Sequence, residues 1–224
     1  MSQTAFKEGD GWKQGLEGRS GWPVVVLDSL GRTYTLDAAE IPGGRGDGVP
    51  VGSLVELQNG AEVAAMISGL PEQHYLLSNS GGYGFIAKLA DMVGRVKAGK
   101  VMISLEAGEK VLPPQAVFTV SLINPDCKVV LASSANRLLA FALGELKVMA
   151  KGRGLQLMNL GEDEKLAHIA VVSTPEFMVE SVGKRGAARC ERLRIQDIEN
   201  KRGRKGRLLE ISGRLKAIGG TDAE

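Results

Sequence analysis

Two cysteines, Cys127 and Cys190, are all that the 224 residues contain. A secreted domain stapled by disulfides would hold more, so both are expected as buried thiols in a reducing compartment. His74 and His168 are isolated from each other and no metal-ligand spacing occurs, so no metal site is expected. No apolar run approaches the length of a transmembrane helix, and the opening Met-Ser-Gln-Thr-Ala-Phe-Lys-Glu lacks the apolar core of a signal peptide. These absences point to a cytoplasmic chain with no membrane contact. Aromatic residues are few, at 4%, and Trp12 and Trp22 are expected to pack in the core or between units. No acid/base pair stands out, and Gly81-Gly82-Tyr83-Gly84 lacks the strand-to-helix setting and the Lys-Ser/Thr ending of a phosphate loop.

What the chain does have is glycine, 30 residues of it, in a composition that is 43% hydrophobic. Glycine at this level without a collagen-like period implies many tight turns between short strands. Net charge is only +2, but it is unevenly divided. Residues 1–74 carry 5 Lys/Arg and 10 Asp/Glu, residues 75–224 carry 23 and 16, and residues 184–207 alone hold ten basic side chains against three acidic ones. Such asymmetry bears on partners rather than on fold.

Four segments share one grammar: an apolar strand, a small-residue turn, a second strand, and a glycine-containing basic bend that leads into a third strand. The opening strands begin at Val24-Val25-Val26-Leu27, Tyr75-Leu76-Leu77, Val129-Val130-Leu131 and Phe177-Met178-Val179. Their turns are Asp28 to Arg32, Ser78 to Gly82, Ser133 to Arg137 and Ser181 to Arg185. The bends close on Gly48, Gly99, Gly154 and Gly206, spaced 51, 55 and 52 residues apart, and the third strand of the first unit is expected at Val51 to Leu54. Further apolar stretches at Val63–Ile67, Ala116–Val120 and Ala167–Val172 each suit one more strand. About four strands per ~50 residues matches a propeller-like blade, whose faces are covered by its neighbours. Leu138 to Leu146 and Glu191 to Asn200 also fit a helical face, but the repeat register assigns them to strand or irregular structure. The expected units are residues 23–60, 61–110, 111–163 and 164–218, after a partial one at 1–22, all within a single domain spanning residues 1–224. Lys7-Glu8-Gly9-Asp10-Gly11-Trp12 reads as the closing bend of that partial unit, so Met1 is expected to begin a piece of a longer protein.

Several strings resemble the C-terminal domain of the bacterial DNA topoisomerase IV A protein, within the family it shares with gyrase A. They are Phe6 to Trp12, Pro23 to Tyr34, Leu76 to Phe85 with its Gly-Tyr-Gly-Phe, Arg95 to Lys100 with its Lys-Ala-Gly-Lys, Val182-Gly183-Lys184-Arg185 and Arg202 to Gly206. The resemblance covers essentially the whole chain. It implies an all-β fold, a β-pinwheel in which adjacent blades exchange strands, and a basic perimeter for duplex DNA. The gyrase hallmark Gln-Arg-Arg-Gly-Gly-Lys-Gly is not found; the nearest strings are Lys151-Gly152-Arg153-Gly154 and Gly203-Arg204-Lys205-Gly206. The implied partners are duplex DNA, the breakage-reunion domain of the same polypeptide, and the separate ATPase polypeptide (the B component) of a heterotetramer. The implied location is the cytoplasm, on the nucleoid. No cofactor is implied for this domain, and the cleaving tyrosine of the family lies outside it. Tyr34, Tyr75 and Tyr83 are expected to pack rather than react.

On this reading the hairpin turns offer Arg32, Arg137, Lys184 and Arg185 to phosphates. Second strands and bends offer Lys88, Arg95, Lys97, Lys100, Lys147, Lys151 and Arg153. The last unit adds Arg202, Arg204, Lys205 and Arg207. Glycine beside a cation permits tight bends and close approach of backbone to phosphate. A gyrase-type DNA-wrapping domain and a propeller-type protein scaffold are the competing readings; a stand-alone propeller enzyme is disfavoured. Arg45-Gly46-Asp47 sits in a repeat bend and is read as a chance match to an integrin tripeptide.

Overall fold

The computed structural model describes residues 13–43, 48–118, 121–122, 124–183, 186–211 and 213–220. The expected hairpins form, joined by small-residue turns. They are β1 (Pro23–Asp28) with β2 (Arg32–Asp37), β4 (His74–Ser78) with β5 (Tyr83–Lys88), β8 (Lys128–Ser133) with β9 (Arg137–Ala142), and β12 (Glu176–Gly183) with β13 (Ala188–Arg194). Each is followed by a single helical turn, at Ala38–Glu40, α1 (Leu89–Met92), Leu143–Glu145 and Ile195–Asp197. The helical pattern seen after Leu138 and after Glu191 therefore amounts to three residues in each case.

The stretches between units become β3 (Val63–Ser68), β7 (Gln115–Val117) and β11 (Leu166–Val172), which pair with β1, β4 and β8. β15 (Gly213–Gly220) completes the last unit by pairing with β12. The strands that follow the bends do not stay in their own unit. β6 (Lys100–Val101) pairs with β2, β10 (Leu155–Gln156) with β5, and β14 (Arg207–Leu208) with β9. The sheets thus read β3-β1-β2-β6, β10-β5-β4-β7, β11-β8-β9-β14 and β13-β12-β15. Each of the first three takes its outer strand from the next unit along the chain.

This stacking explains why the strands read as unbroken apolar runs. Val25 and Leu27 face Leu77 and Phe85 of the second sheet, while Leu76 and Ile86 on its other face meet Val129, Leu131 and Phe141 of the third. Val130, Ala132 and Leu138 in turn meet Phe177 and Val179 of the fourth. Successive residues of a strand point to opposite faces, so a strand between two neighbours must be apolar on both. In β12, at the end of the array, burial alternates residue by residue.

Three expectations are corrected in detail. Val51–Ser53 is a 3-10 turn, not a strand, because Val51, Leu54 and Val55 fold over the outer face of the first sheet, against Val24, Val26, Tyr34 and Leu36. The fourth hairpin turns later than expected: Ser181 and Val182 pair with Arg189 and Ala188, and Gly186 N–H donates to Gly183 O at 2.9 Å. Cys127 is buried, but Cys190 is exposed on β13. Trp22 is half-buried with the Arg19 guanidinium 5.3 Å from its ring centroid; Trp12 and Arg45 lie outside the described residues.

Candidate nucleic-acid interface

The bends owe their shape to glycine. Gly99, Gly154 and Gly206 all adopt positive φ, at 66°, 84° and 78°. A Cβ there would lie 2.7 Å from Thr33 O, 2.2 Å from Gly84 O and 2.7 Å from Leu138 O respectively, in each case on the hairpin that receives the exchanged strand. Just beyond each bend the chain is locked to the turn of that hairpin. Gly31 O accepts from Met102 and Ile103 N–H, Gly82 O from Leu157 and Met158, and Asn136 O from Leu209.

Successive bends are also joined to one another. Gly152 N–H donates to Met102 O and Gly152 O accepts from Ser104 N–H, both at 3.0 Å. One unit further on, Gly203 N–H donates to Leu157 O at 2.8 Å and Arg204 O accepts from Asn159 N–H at 3.0 Å. The bends of the second, third and fourth units therefore form one continuous backbone ribbon. Burial lowers the pKa of Lys100, nearby Asp91 opposes this, and Lys151 from the next bend adds to the lowering. The ammonium groups of adjacent bends are close enough to repel.

The fifteen expected cations divide by what holds them. Arg32 spans the bend beneath it, its guanidinium donating to Ala98 O and Gly99 O at 2.9 Å. Arg153 is held more tightly: it forks onto Glu109 at 2.8 and 3.1 Å, meets Glu106 at 3.2 Å, and lies 4.2 Å over the Tyr83 ring. Arg202 donates to Gln156 O, Arg137 faces Glu164 at 3.8 Å, and Lys88 pairs with Glu72 at 2.7 Å. Lys100 donates to Val93 O at 2.7 Å, and one Arg207 nitrogen donates to Asp197 O at 3.0 Å while the side chain stays exposed. Arg95, Lys97, Lys147, Lys151, Arg204 and Lys205 are exposed, with no side-chain hydrogen bond or ion pair among the described residues. Lys184 and Arg185 lie outside the described residues.

The carboxylates that grip Arg153 had no signal in the bend sequence, because they arrive from a loop 44 and 47 residues upstream. Lys110 and Lys165, exposed cations not singled out in the sequence, are spaced 55 residues apart, as Gly99 and Gly154 are. Tyr34 and Tyr75 are buried, and burial is the main cause raising the pKa of each. Among the described residues no group of three His, Cys, Asp or Glu could hold a metal ion, and no helix is long and apolar enough to cross a membrane.

Three blades completed by a neighbour's strand, their bends strung into one basic ribbon, define a β-pinwheel. Residues 128–173 match the family model described as DNA gyrase C-terminal domain, beta-propeller. The chain superimposes on the solved structure of the E. coli ParC C-terminal domain with a TM-score of 0.83 and 30% identity, covering 96% of this chain and 87% of that one. It is 63% identical over 222 residues to the A subunit of DNA topoisomerase 4 from Neisseria gonorrhoeae, covering 97% of this chain. A solved DNA gyrase A C-terminal domain shares the fold at a TM-score of 0.65 and 19% identity, covering 89% of this chain and 66% of that one. The chain belongs to the family of C-terminal domains of the DNA topoisomerase IV A protein. It spans 28% of the length of the Neisseria relative.

Proposed function

We propose that residues 1–224 form the DNA-binding domain of a type IIA topoisomerase, which holds and bends duplex DNA along its ribbon of basic bends. The observation that carries this is the group of six exposed cations without a partner among the described residues, Arg95, Lys97, Lys147, Lys151, Arg204 and Lys205, on bends hydrogen-bonded end to end. A cation with no carboxylate partner has its full charge available to a phosphate. Arg32, Arg153 and Arg202 serve instead to stiffen the bends from below, which fixes where the free cations stand. Lys184 and Arg185, which lie outside the described residues, are proposed as further phosphate contacts.

Recognition is of the phosphate backbone, since the described residues present no helix to a major groove. Bending a short duplex along a curved rim costs roughly 1–6 kcal/mol, which the phosphate contacts offset. The domain itself cuts no DNA. It delivers a segment to the breakage-reunion domain of its own polypeptide, for strand passage, decatenation and supercoil relaxation. ATP bound by the separate B component drives these steps, in the cytoplasm and on the nucleoid. The domain needs no cofactor for this role.

Charge reversal at Arg204 and Lys205 tests the reading by gel-shift titration. The Arg204→Glu/Lys205→Glu variant is expected to weaken binding to unrelated duplexes by similar factors. Unchanged binding, or a loss confined to one sequence, would refute backbone recognition by the bends.

A further inference from the structure

Beside the bends, a second feature repeats with the blades. In each of the first three hairpin turns a serine clamps the residue that leads into the next inter-unit strand. Ser29 N–H donates to Glu62 O at 2.8 Å and Ser29 Oγ accepts from Glu62 N–H at 3.1 Å. Ser80 makes the same pair with Lys110 at 2.8 and 3.0 Å, and Ser134 with Lys165 at 2.8 and 3.0 Å. The clamp fixes the backbone and leaves the side chain to solvent; Glu62, Lys110 and Lys165 are all exposed. The position is acidic in the first unit and basic in the next two.

The loops of the second and third units adjoin one another, and that of the second unit adjoins the ribbon of bends. Lys165 Nζ reaches Gly108 O at 3.4 Å, so the loop of the third unit touches that of the second. Glu109, beside Lys110, holds Arg153 of the third bend at 2.8 Å, and Glu106 joins the same arginine. Arg153 thereby offsets one of the two negative charges that these carboxylates present next to Lys110.

We infer that Lys110 and Lys165 form a second row of phosphate contacts alongside the bends, and that Glu62 ends this row at the first blade. The inference rests on the DNA-binding reading above and deepens it: the duplex is gripped by two rows of cations rather than one. Because each lysine is placed by its backbone, removing the side chain leaves the clamp intact.

The experiment measures the affinity of the 224-residue chain for a mixed-sequence duplex as salt is raised, comparing Lys110→Ala/Lys165→Ala with Glu62→Lys. Each phosphate contact contributes about 0.9 to the slope of log K against log salt. The double alanine variant is expected to lower the magnitude of that slope by about 1.8, and Glu62→Lys to raise it by about 0.9. An unchanged slope in the double variant overturns the second row, while loss of binding in Arg204→Glu/Lys205→Glu under the same conditions keeps the DNA reading intact. If neither variant changes binding, the DNA reading falls and takes the second row with it. A slope unmoved by Glu62→Lys overturns the claim that the row stops for want of a cation at the first blade.

Discussion

Gly154 shows how much of the fold hangs on one missing methyl group. Its φ of 84° and the 2.2 Å between an added Cβ and Gly84 O forbid any side chain where the third unit crosses to the second sheet. Gly48 has a similar φ of 77° but meets none of the described residues within 4 Å, so it separates the two effects. Gly48→Ala is expected to lose about 1–2 kcal/mol from backbone strain alone. Gly154→Ala should lose clearly more, because the second sheet must also give way; urea melts that put the two variants level would contradict this. His168 offers a second residue-scale check. Burial, its main perturbation, lowers its pKa, opposed by a backbone hydrogen bond at Leu215. The unfolded chain then binds the proton more tightly, so this contribution is fully present above about pH 6.5 and is lost as pH falls below it. Melting temperatures measured at falling pH should drop less in His168→Asn than in the parent chain, and parallel curves would rule the histidine out.

At the scale of elements, the exchange of strands ties each blade to the next. Phe141 lies in the core shared by the second and third sheets, together with Leu157 and Met158, which follow the third bend. Phe141→Ala is expected to cost about 3–5 kcal/mol, with secondary structure and tertiary packing lost in a single transition when both are followed in urea. Separate transitions would show that the blades fold independently.

The hairpins were legible in the sequence because Val24 to Leu27, Tyr75 to Leu77 and Val129 to Leu131 are local apolar runs bounded by turn residues. The exchange itself came from family resemblance. A two-residue strand such as Lys100–Val101, paired with Arg32 and Thr33 more than sixty residues away, leaves no local pattern to read. The 3-10 turn at Val51–Ser53 was misread for a related reason: its apolar residues serve a sheet face, and composition does not say which. Basic character at the bends was equally legible. Which cations are free was not, since Arg153 is tied by Glu106 and Glu109 from a distant loop.

Across the whole molecule, charge and topology run in the same direction. The acidic first third holds the first blade, where Arg32 is occupied by the bend beneath it and Glu62 stands at the place of Lys110 and Lys165. The expected cations left without a partner among the described residues begin at Arg95 and continue through the third bend to Arg204 and Lys205. A duplex following them is expected to run along the later three bends, the first of which is laid against the edge of the first sheet through β6. Six phosphate contacts imply a slope of log K against log salt of about −5, and more with a second row. The most direct measurement is therefore a titration of mixed-sequence duplex DNA with the 224-residue chain at several salt concentrations. The account predicts a slope of about −5 or steeper, with affinity falling on the order of a thousandfold between roughly 50 and 200 mM salt. Binding indifferent to salt, or no binding at low salt, would contradict it.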